Sequence, residues 1–146
     1  MNGERIYRYE LEVTGISEYG LGFSDAISWA VAIPPQGARF DVAFAGRCEG
    51  RLTGTVTGTD FAVMWADGRV DLDIKARIET DDGAAIALMA GGIGQLRSDA
   101  PIVDLAENVT LSTADDAYGW VNGRQIWAPG TVDLAAGRIV IEGYMQ

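Results

Sequence analysis

Carboxylates, tyrosines and a single lysine are the side chains of this sequence that could do acid/base chemistry. Asp81 and Asp82 are adjacent and are followed by Gly83, between two apolar stretches. Two carboxylates can act as an acid/base pair, but Asp and Gly also adopt the conformations that a two-residue hairpin turn requires. Neighbouring residues of a strand point to opposite sides, so only one carboxylate could face a pocket. The pattern therefore predicts a turn at 81–83, and Asp81 is kept as a candidate base.

Segment 70–80 is a second place where charged groups could meet a ligand. Apolar residues alternate there with charged ones, so a strand would have one apolar face and one face of alternating charges. If the charged face is exposed to solvent, it holds ordinary ion pairs that contribute little to stability. If it faces the lumen of a barrel, desolvation shifts the pKa values of Asp73 and Lys75 toward useful ranges. Both arrangements remain open from the sequence.

Aromatic side chains form the other candidate set. Tyr118, Trp120 and Asn122 share one face of segment 117–122 if that segment is a strand. Such residues either pack in the core or line an apolar cavity that presents a few polar groups. The candidate ligand-binding residues are Tyr7, Tyr9, Trp29, Trp65, Lys75, Trp120 and Asn122.

The composition removes several classes of site. Histidine is absent, which excludes Ser-His and Cys-His nucleophile pairs and removes the usual metal ligand. Cys48 is the only cysteine, so no intramolecular disulfide can form. The acidic residues lack the spacing of a calcium loop, and no lysine follows the glycines of 91–94 as in a phosphate loop. We therefore expect no metal and no cofactor.

The charge balance bears on partners. The chain has 21 acidic and 11 basic residues, and its arginines are scattered along the sequence. A surface of this kind lacks the basic footprint that nucleic acid requires. The charged N-terminal segment does not resemble a signal peptide, and no apolar run is long enough to span a membrane. We expect a cytoplasmic protein that binds neither nucleic acid nor membrane.

Alternation with a period of two residues dominates the sequence and predicts an all-β fold. Tyr7, Tyr9, Leu11 and Val13, for example, share one face of a segment whose other face is charged. Strands are predicted at 7–13, 26–33, 38–46, 50–58, 60–66, 70–80, 84–90 and 108–113, at 117–122 together with 124–128, and at 137–145. Segment 95–107 is either a short helical turn or a loop that crosses one end of a barrel.

The expected architecture is one domain, residues 1–146, because this length and 48% hydrophobic content suffice for a single core. A sandwich and a barrel both fit roughly nine to eleven antiparallel strands. We favour a closed antiparallel β-barrel, since closure leaves no strand edge exposed.

Two long segments resemble a known bacterial family. Residues 34–88, from "PPQGARFDVAFAG" to "IETDDGAAIAL", and residues 112–130, "STADDAYGWVNGRQIWAPG", are similar in order and spacing to the domain of unknown function 3237. This chain has Asp60-Phe61 where the family usually has Asp-Trp, and Val121 where it has leucine. The resemblance implies a calycin-like, lipocalin-like β-barrel and no agreed activity.

Three functions remain compatible with these observations. The first is a barrel that binds a small apolar or carbonyl-bearing ligand, with or without acid/base turnover as an isomerase, lyase or cyclase. In that case Asp73 or Asp81 would be the base and Tyr7 or Tyr118 the proton donor. The second is a carrier without turnover, and the third is a structural or homo-oligomer-forming domain whose lumen its own side chains fill. The volume of any internal cavity separates the third function from the other two.

Overall fold

Residues 2–146 of the computed structural model form a closed antiparallel β-barrel of eight strands. Each strand is hydrogen-bonded to its neighbours in the sequence, and the last strand pairs with the first. The strands are β1 (Glu4–Glu18), β2 (Ala38–Gly50), β3 (Gly54–Met64), β4 (Arg69–Thr80), β5 (Ala85–Leu96), β6 (Ile102–Ser112), β7 (Ile126–Asp133) and β8 (Arg138–Met145). The all-β closed barrel that the sequence predicted is therefore confirmed, with fewer and longer strands.

The strands are fewer and longer than predicted partly because glycines do not end strands here. Segments 50–58 and 60–66 were predicted as two strands, but β3 runs through Gly58 and Thr59 with its ladder to β2 unbroken. Likewise β5 continues through Gly91 and Gly92 as far as Leu96. A glycine keeps both backbone hydrogen-bonding groups, so the neighbouring strands can hold it in the ladder.

Two of the predicted strands are wrong. Segment 26–33 contains the end of α1 (Phe23–Ile27) and then an irregular loop. Segment 117–122 lies in a 3₁₀ helix (Asp116–Val121), where the Asp115 side chain caps the first turn by accepting a hydrogen bond from the Ala117 N–H. Local caps of this kind satisfy the backbone without a ladder.

The two irregular connections pack against the core at opposite ends of the barrel. α1 lies between β1 and β2, where Phe23 meets Phe40 edge-on with the ring centroids 5.1 Å apart. The 3₁₀ helix lies between β6 and β7, and its Val121 is fully buried. Segment 95–107 is the end of β5, a short loop and the start of β6. No helix among residues 2–146 is long and apolar enough to cross a membrane.

The inward face of the first strand and the turn at 81–83 agree with the sequence predictions. Tyr7, Tyr9 and Leu11 are buried on β1. The turn between β4 and β5 is closed by the Gly83 N–H, which donates to the Thr80 carbonyl at 3.0 Å. Gly83 has φ +94°, a conformation that favours glycine.

Tyr7 and Gly143 pack tightly against each other, and a substitution at Gly143 tests that packing. These residues are opposite each other in the β1–β8 ladder, and a Cβ at Gly143 would lie 2.2 Å from Cζ of the buried Tyr7 ring. Gly143→Ala should therefore lower the free energy of unfolding by about 1–3 kcal/mol, as overpacking does. Gly15→Ala in β1 is the matched control, since a Cβ added at Gly15 would have no heavy atom of a non-adjacent residue of the described chain within 4 Å. Urea unfolding measures both variants, and equal midpoints would contradict the packing argument.

Candidate functional site

A cavity lies inside the barrel, with a volume of about 90 Å³ available to the centre of a water molecule. All eight strands and Phe23 of α1 contribute to its wall, which is almost entirely apolar. The lumen is therefore not filled by the protein's own side chains. Among residues 2–146, the lining contains three polar side chains, Tyr9, Asp60 and Glu107, and no lysine or arginine.

Asp60 occupies an inward position in the middle of β3. It is in phase with the inward-facing Val56 and Ala62 on the same strand. Its Oδ1 accepts a hydrogen bond from the backbone N–H of Asp73 at 3.0 Å. Burial raises the pKa of Asp60 to about 6, and the hydrogen bond from Asp73 opposes that shift. Asp60 is thus a carboxylate that can accept a proton near neutral pH.

Glu107 occupies the corresponding inward position of β6. Leu105 and Val109 flank it on the same buried face, and only 5% of the Glu107 surface is exposed. Its Oε2 atom has no hydrogen-bond partner among residues 2–146. Burial, and secondarily the negative charge of Asp60, raises the pKa of Glu107 to about 8. Glu107 is therefore a neutral carboxylic acid at pH 7 and a potential proton donor.

Two stacked tyrosines on β1 lie near Glu107. The rings of Tyr7 and Tyr9 are parallel within 5°, with centroids 4.0 Å apart. Their hydroxyls are near each other, but no hydrogen bond of good geometry joins them. Burial raises the pKa of both hydroxyls well above the ordinary tyrosine value. Both hydroxyls are thus neutral, and of the two side chains only that of Tyr9 lines the cavity.

Cys48 is opposite Tyr9 in the β1–β2 ladder and is fully buried. Desolvation raises the pKa of its thiol to about 11, so the thiol is protonated. A protonated, enclosed thiol is a poor nucleophile, and we assign Cys48 to the core.

The cavity combines a base and an acid in one apolar environment. Asp60 is mostly ionised and Glu107 mostly protonated between their pKa values of about 6 and about 8. Pairs of carboxyl groups whose environments separate their pKa values are the usual arrangement for acid/base catalysis. The arrangement can remove a proton from a bound molecule and return one at another atom.

The structure places the charged face of segment 70–80 on the outside of the barrel. Asp73 and Lys75 are both exposed to solvent, and neither side chain lines the cavity. Asp73 contacts the candidate site only through its backbone N–H. The lumen arrangement considered for Asp73 and Lys75 is therefore not the one observed.

Asp81 and Tyr118 lie near the 3₁₀-helix end of the barrel, outside the cavity. Asp81 is exposed and makes a two-pronged ion pair with Arg47, at 2.8 and 2.9 Å, which lowers the pKa of Asp81. The Tyr118 hydroxyl donates to Asp82, and that hydrogen bond raises the pKa of Tyr118. The structure does not bring Asp81 or Tyr118 to the buried carboxyl groups.

The remaining predicted ligand-binding residues also lie outside the cavity. Trp29 and Trp65 donate their indole N–H groups to the Arg97 carbonyl at 3.2 Å and to Asp71 at 2.9 Å, respectively. The Trp120 ring lies under the guanidinium of Arg51, 3.8 Å from it, and the Asn122 side chain bonds the backbone of Thr113. Trp120 and Asn122 do not share a strand face, because segment 117–122 is not a strand.

Sequence reasoning missed Asp60 and Glu107 as site residues, although the sequence contains a signal for each. Glu107 stands in an unbroken alternation of buried residues from Val103 to Leu111. Asp60 is in phase with Val56 if no turn is assumed at Gly58. In both cases a supposed break in the strand concealed the phase that places the carboxylate inside.

No group of three or more potential metal ligands occurs among residues 2–146. The residues that face the cavity include two carboxylates and no histidine.

Solved structures similar to this chain share its fold. A protein of unknown function from Clostridium acetobutylicum has a TM-score of 0.79 at 20% identity, covering 100% of this chain and 99% of that one. A β-barrel-like protein from Acinetobacter baumannii has a TM-score of 0.78 at 20% identity, covering 99% of this chain and 94% of that one. A conserved protein of unknown function from Rhodopseudomonas palustris has a TM-score of 0.76 at 18% identity, covering 99% and 95%. At these identities the likeness establishes the fold alone.

Sequence comparison identifies the family. No curated protein matches the chain significantly. A family model described as "Protein of unknown function (DUF3237)" matches residues 31–145, which confirms the resemblance seen in segments 34–88 and 112–130. The chain therefore belongs to the DUF3237 family.

Proposed function

We propose that the barrel binds a small, mostly apolar ketone in its lumen and transfers a proton at a carbon next to the carbonyl group. The observation that carries the proposal is the pair Asp60 and Glu107, two carboxyl groups in an otherwise apolar cavity with pKa values of about 6 and about 8. A cavity that is mostly apolar with a few convergent polar groups is typical of small-molecule sites.

The chemistry would be an enolisation. The Asp60 carboxylate takes the proton from the carbon, and the electron pair of that C–H bond becomes the new C=C bond. The carbonyl π electrons move to oxygen, which takes the proton of Glu107. Return of a proton from Asp60 to carbon, and of the O–H proton to Glu107, regenerates the ketone or an isomer. Each transfer is balanced, so the reaction needs no cofactor.

The apolar wall supports both steps of this reaction. It desolvates the carboxylate of Asp60, which makes that group a stronger base than an exposed aspartate. It also keeps Glu107 protonated at pH 7, so that this side chain can donate rather than repel a developing negative charge on oxygen. A carrier with the same cavity and no turnover is the alternative function, and the experiment below separates the two.

Hydrogen–deuterium exchange of β-tetralone in D₂O tests the proposal, because each enolisation replaces a C–H by C–D. The wild type should accelerate exchange, and Asp60→Asn should slow it by about 10²- to 10⁴-fold, the usual contribution of a general base, while ligand binding persists. Asp81→Asn is the matched control, since Asp81 is an exposed carboxylate outside the cavity. The readouts are proton NMR for exchange and calorimetry for binding.

The outcomes of this experiment are distinct. Binding without accelerated exchange would support the carrier function and overturn the catalytic one. Exchange that depends on Asp81 rather than Asp60 would move the site to the outer turn. Absence of both binding and exchange would contradict the proposal as a whole.

The pH dependence of the protein-catalysed exchange should be bell-shaped. The rate should rise as pH increases through about 6, where Asp60 becomes ionised, and fall as pH increases through about 8, where Glu107 loses its proton. Glu107→Gln keeps a neutral hydrogen-bond donor at that position, so this variant should retain the acidic limb and lose the alkaline one. The measurement is the exchange rate between about pH 5 and about pH 9, after subtraction of the protein-free rate. This interval includes both pKa values, about 6 and about 8. An alkaline limb that persists in Glu107→Gln would exclude Glu107 as its source.

A further inference from the structure

In the part of the chain that the structure describes, two residues of the cavity wall have buried polar atoms without partners. The Tyr9 hydroxyl and Oε2 of Glu107 each have less than 1 Å² of accessible surface and no hydrogen-bond partner among residues 2–146. Both side chains line the cavity. Buried polar groups are nearly always paired, and an unpaired one is costly, so these two atoms call for a partner that enters the lumen.

The protein itself supplies few possible hydrogen-bond partners for these two atoms. Asp60 is the remaining polar side chain of the lining among residues 2–146, and its Oδ1 is engaged by the Asp73 N–H. The Tyr7 hydroxyl lies near that of Tyr9, but no hydrogen bond of good geometry joins the two, and Tyr7 does not line the cavity. The missing partner of Tyr9 and Glu107 is therefore either water or a polar atom of the ligand.

The protonation states determine which polar atom fits. The neutral Tyr9 hydroxyl and the neutral carboxyl group of Glu107 can each donate a hydrogen bond. Two donors suit an acceptor oxygen, as in sites that stabilise a carbonyl or an enolate. An ammonium group has only donors, so it cannot accept from either side chain, although the Asp60 carboxylate in the same cavity would attract it.

The charge of the cavity restricts the ligand further. The lining has two carboxyl groups and, among residues 2–146, no basic side chain. A ligand carboxylate would lose its hydration, lie in the same cavity as the Asp60 carboxylate, and find no cation. The cavity therefore disfavours fatty-acid-like anions.

We propose that Tyr9 and Glu107 together hold one uncharged carbonyl oxygen of the ligand, so that the site selects neutral ketones over carboxylates of the same size. This inference rests on the proposed function for the role of the bound ketone, and it adds a residue, Tyr9, and a rule of charge selectivity. Tyr9 would be a binding residue in contact with the oxygen on which negative charge develops.

A series of naphthalenes of similar size provides the test: naphthalene, 2-acetylnaphthalene and 2-naphthoate. The wild type should bind 2-acetylnaphthalene about tenfold more tightly than naphthalene, the gain expected of one or two net hydrogen bonds. The naphthoate should bind more weakly than naphthalene at about pH 7, because among residues 2–146 it meets the Asp60 carboxylate and no cation. Calorimetry or quenching of the naphthalene fluorescence measures each affinity.

Tyr9→Phe and Tyr7→Phe form a matched pair of variants. Each removes one buried, unpaired hydroxyl and leaves the aromatic ring, so neither should lower the urea midpoint. Tyr9→Phe should abolish most of the preference for 2-acetylnaphthalene over naphthalene, whereas Tyr7→Phe should leave that preference unchanged.

Three results would overturn the inference. These are an unchanged ketone preference in Tyr9→Phe, an equal loss in Tyr7→Phe, and tightest binding of the naphthoate. If Asp60-dependent exchange of β-tetralone persists alongside any of them, the oxygen-binding assignment fails and the proposed function stands. Failure of all three naphthalenes to bind, together with absence of exchange, would reject both.

Discussion

Closure of the hydrogen-bonded ladder between β8 and β1 is the constraint on which the rest of the structure depends. Once the last strand pairs with the first, one side of every strand becomes interior and no edge remains. A polar residue at an inward position cannot then turn to water unless its whole strand changes register. Asp60 and Glu107 occupy such positions, so closure buries Glu107 and partly buries Asp60, and this burial raises their pKa values.

The interior is not arranged for stability alone. Apolar residues at the positions of Tyr9 and Glu107 would avoid the desolvation of a hydroxyl and a carboxyl group that lack partners. Positions that break the rules of core packing without a local compensation are typical of functional sites. The cavity adjoining these two side chains is where such a compensation could be supplied, by a molecule that enters it.

The outer surface makes a smaller contribution to the energetics. Ion pairs such as Arg47–Asp81 and Arg97–Asp104 are well formed, but their side chains are about half exposed. Pairs of this kind contribute little to folding, and the net charge of −10 acts mainly on solubility. Hydrogen bonds from their arginine partners lower the pKa values of the exposed carboxyl groups of Asp81 and Asp104, whereas burial raises that of the interior Glu107.

The sequence alone determined the all-β class, the buried face of β1, the turn at 81–83 and the chemical limits of this protein. The alternation on β1 placed Tyr7 and Tyr9 on one buried face, Gly83 marked the turn, and the absence of histidine excluded the commonest bases and nucleophile pairs. These conclusions hold because they depend on local backbone geometry or on composition.

Only the tertiary structure decided which faces are interior and where the cavity lies. Alternation shows that Asp73 and Lys75 share a face, but the side of the sheet that becomes the lumen is chosen by closure of all the strands together. The phase of Asp60 across Gly58, and of Glu107 across a segment predicted to be irregular, is likewise held by ladders to neighbouring strands. Desolvation depends on what surrounds a side chain in space, and residues distant in the sequence supply those surroundings.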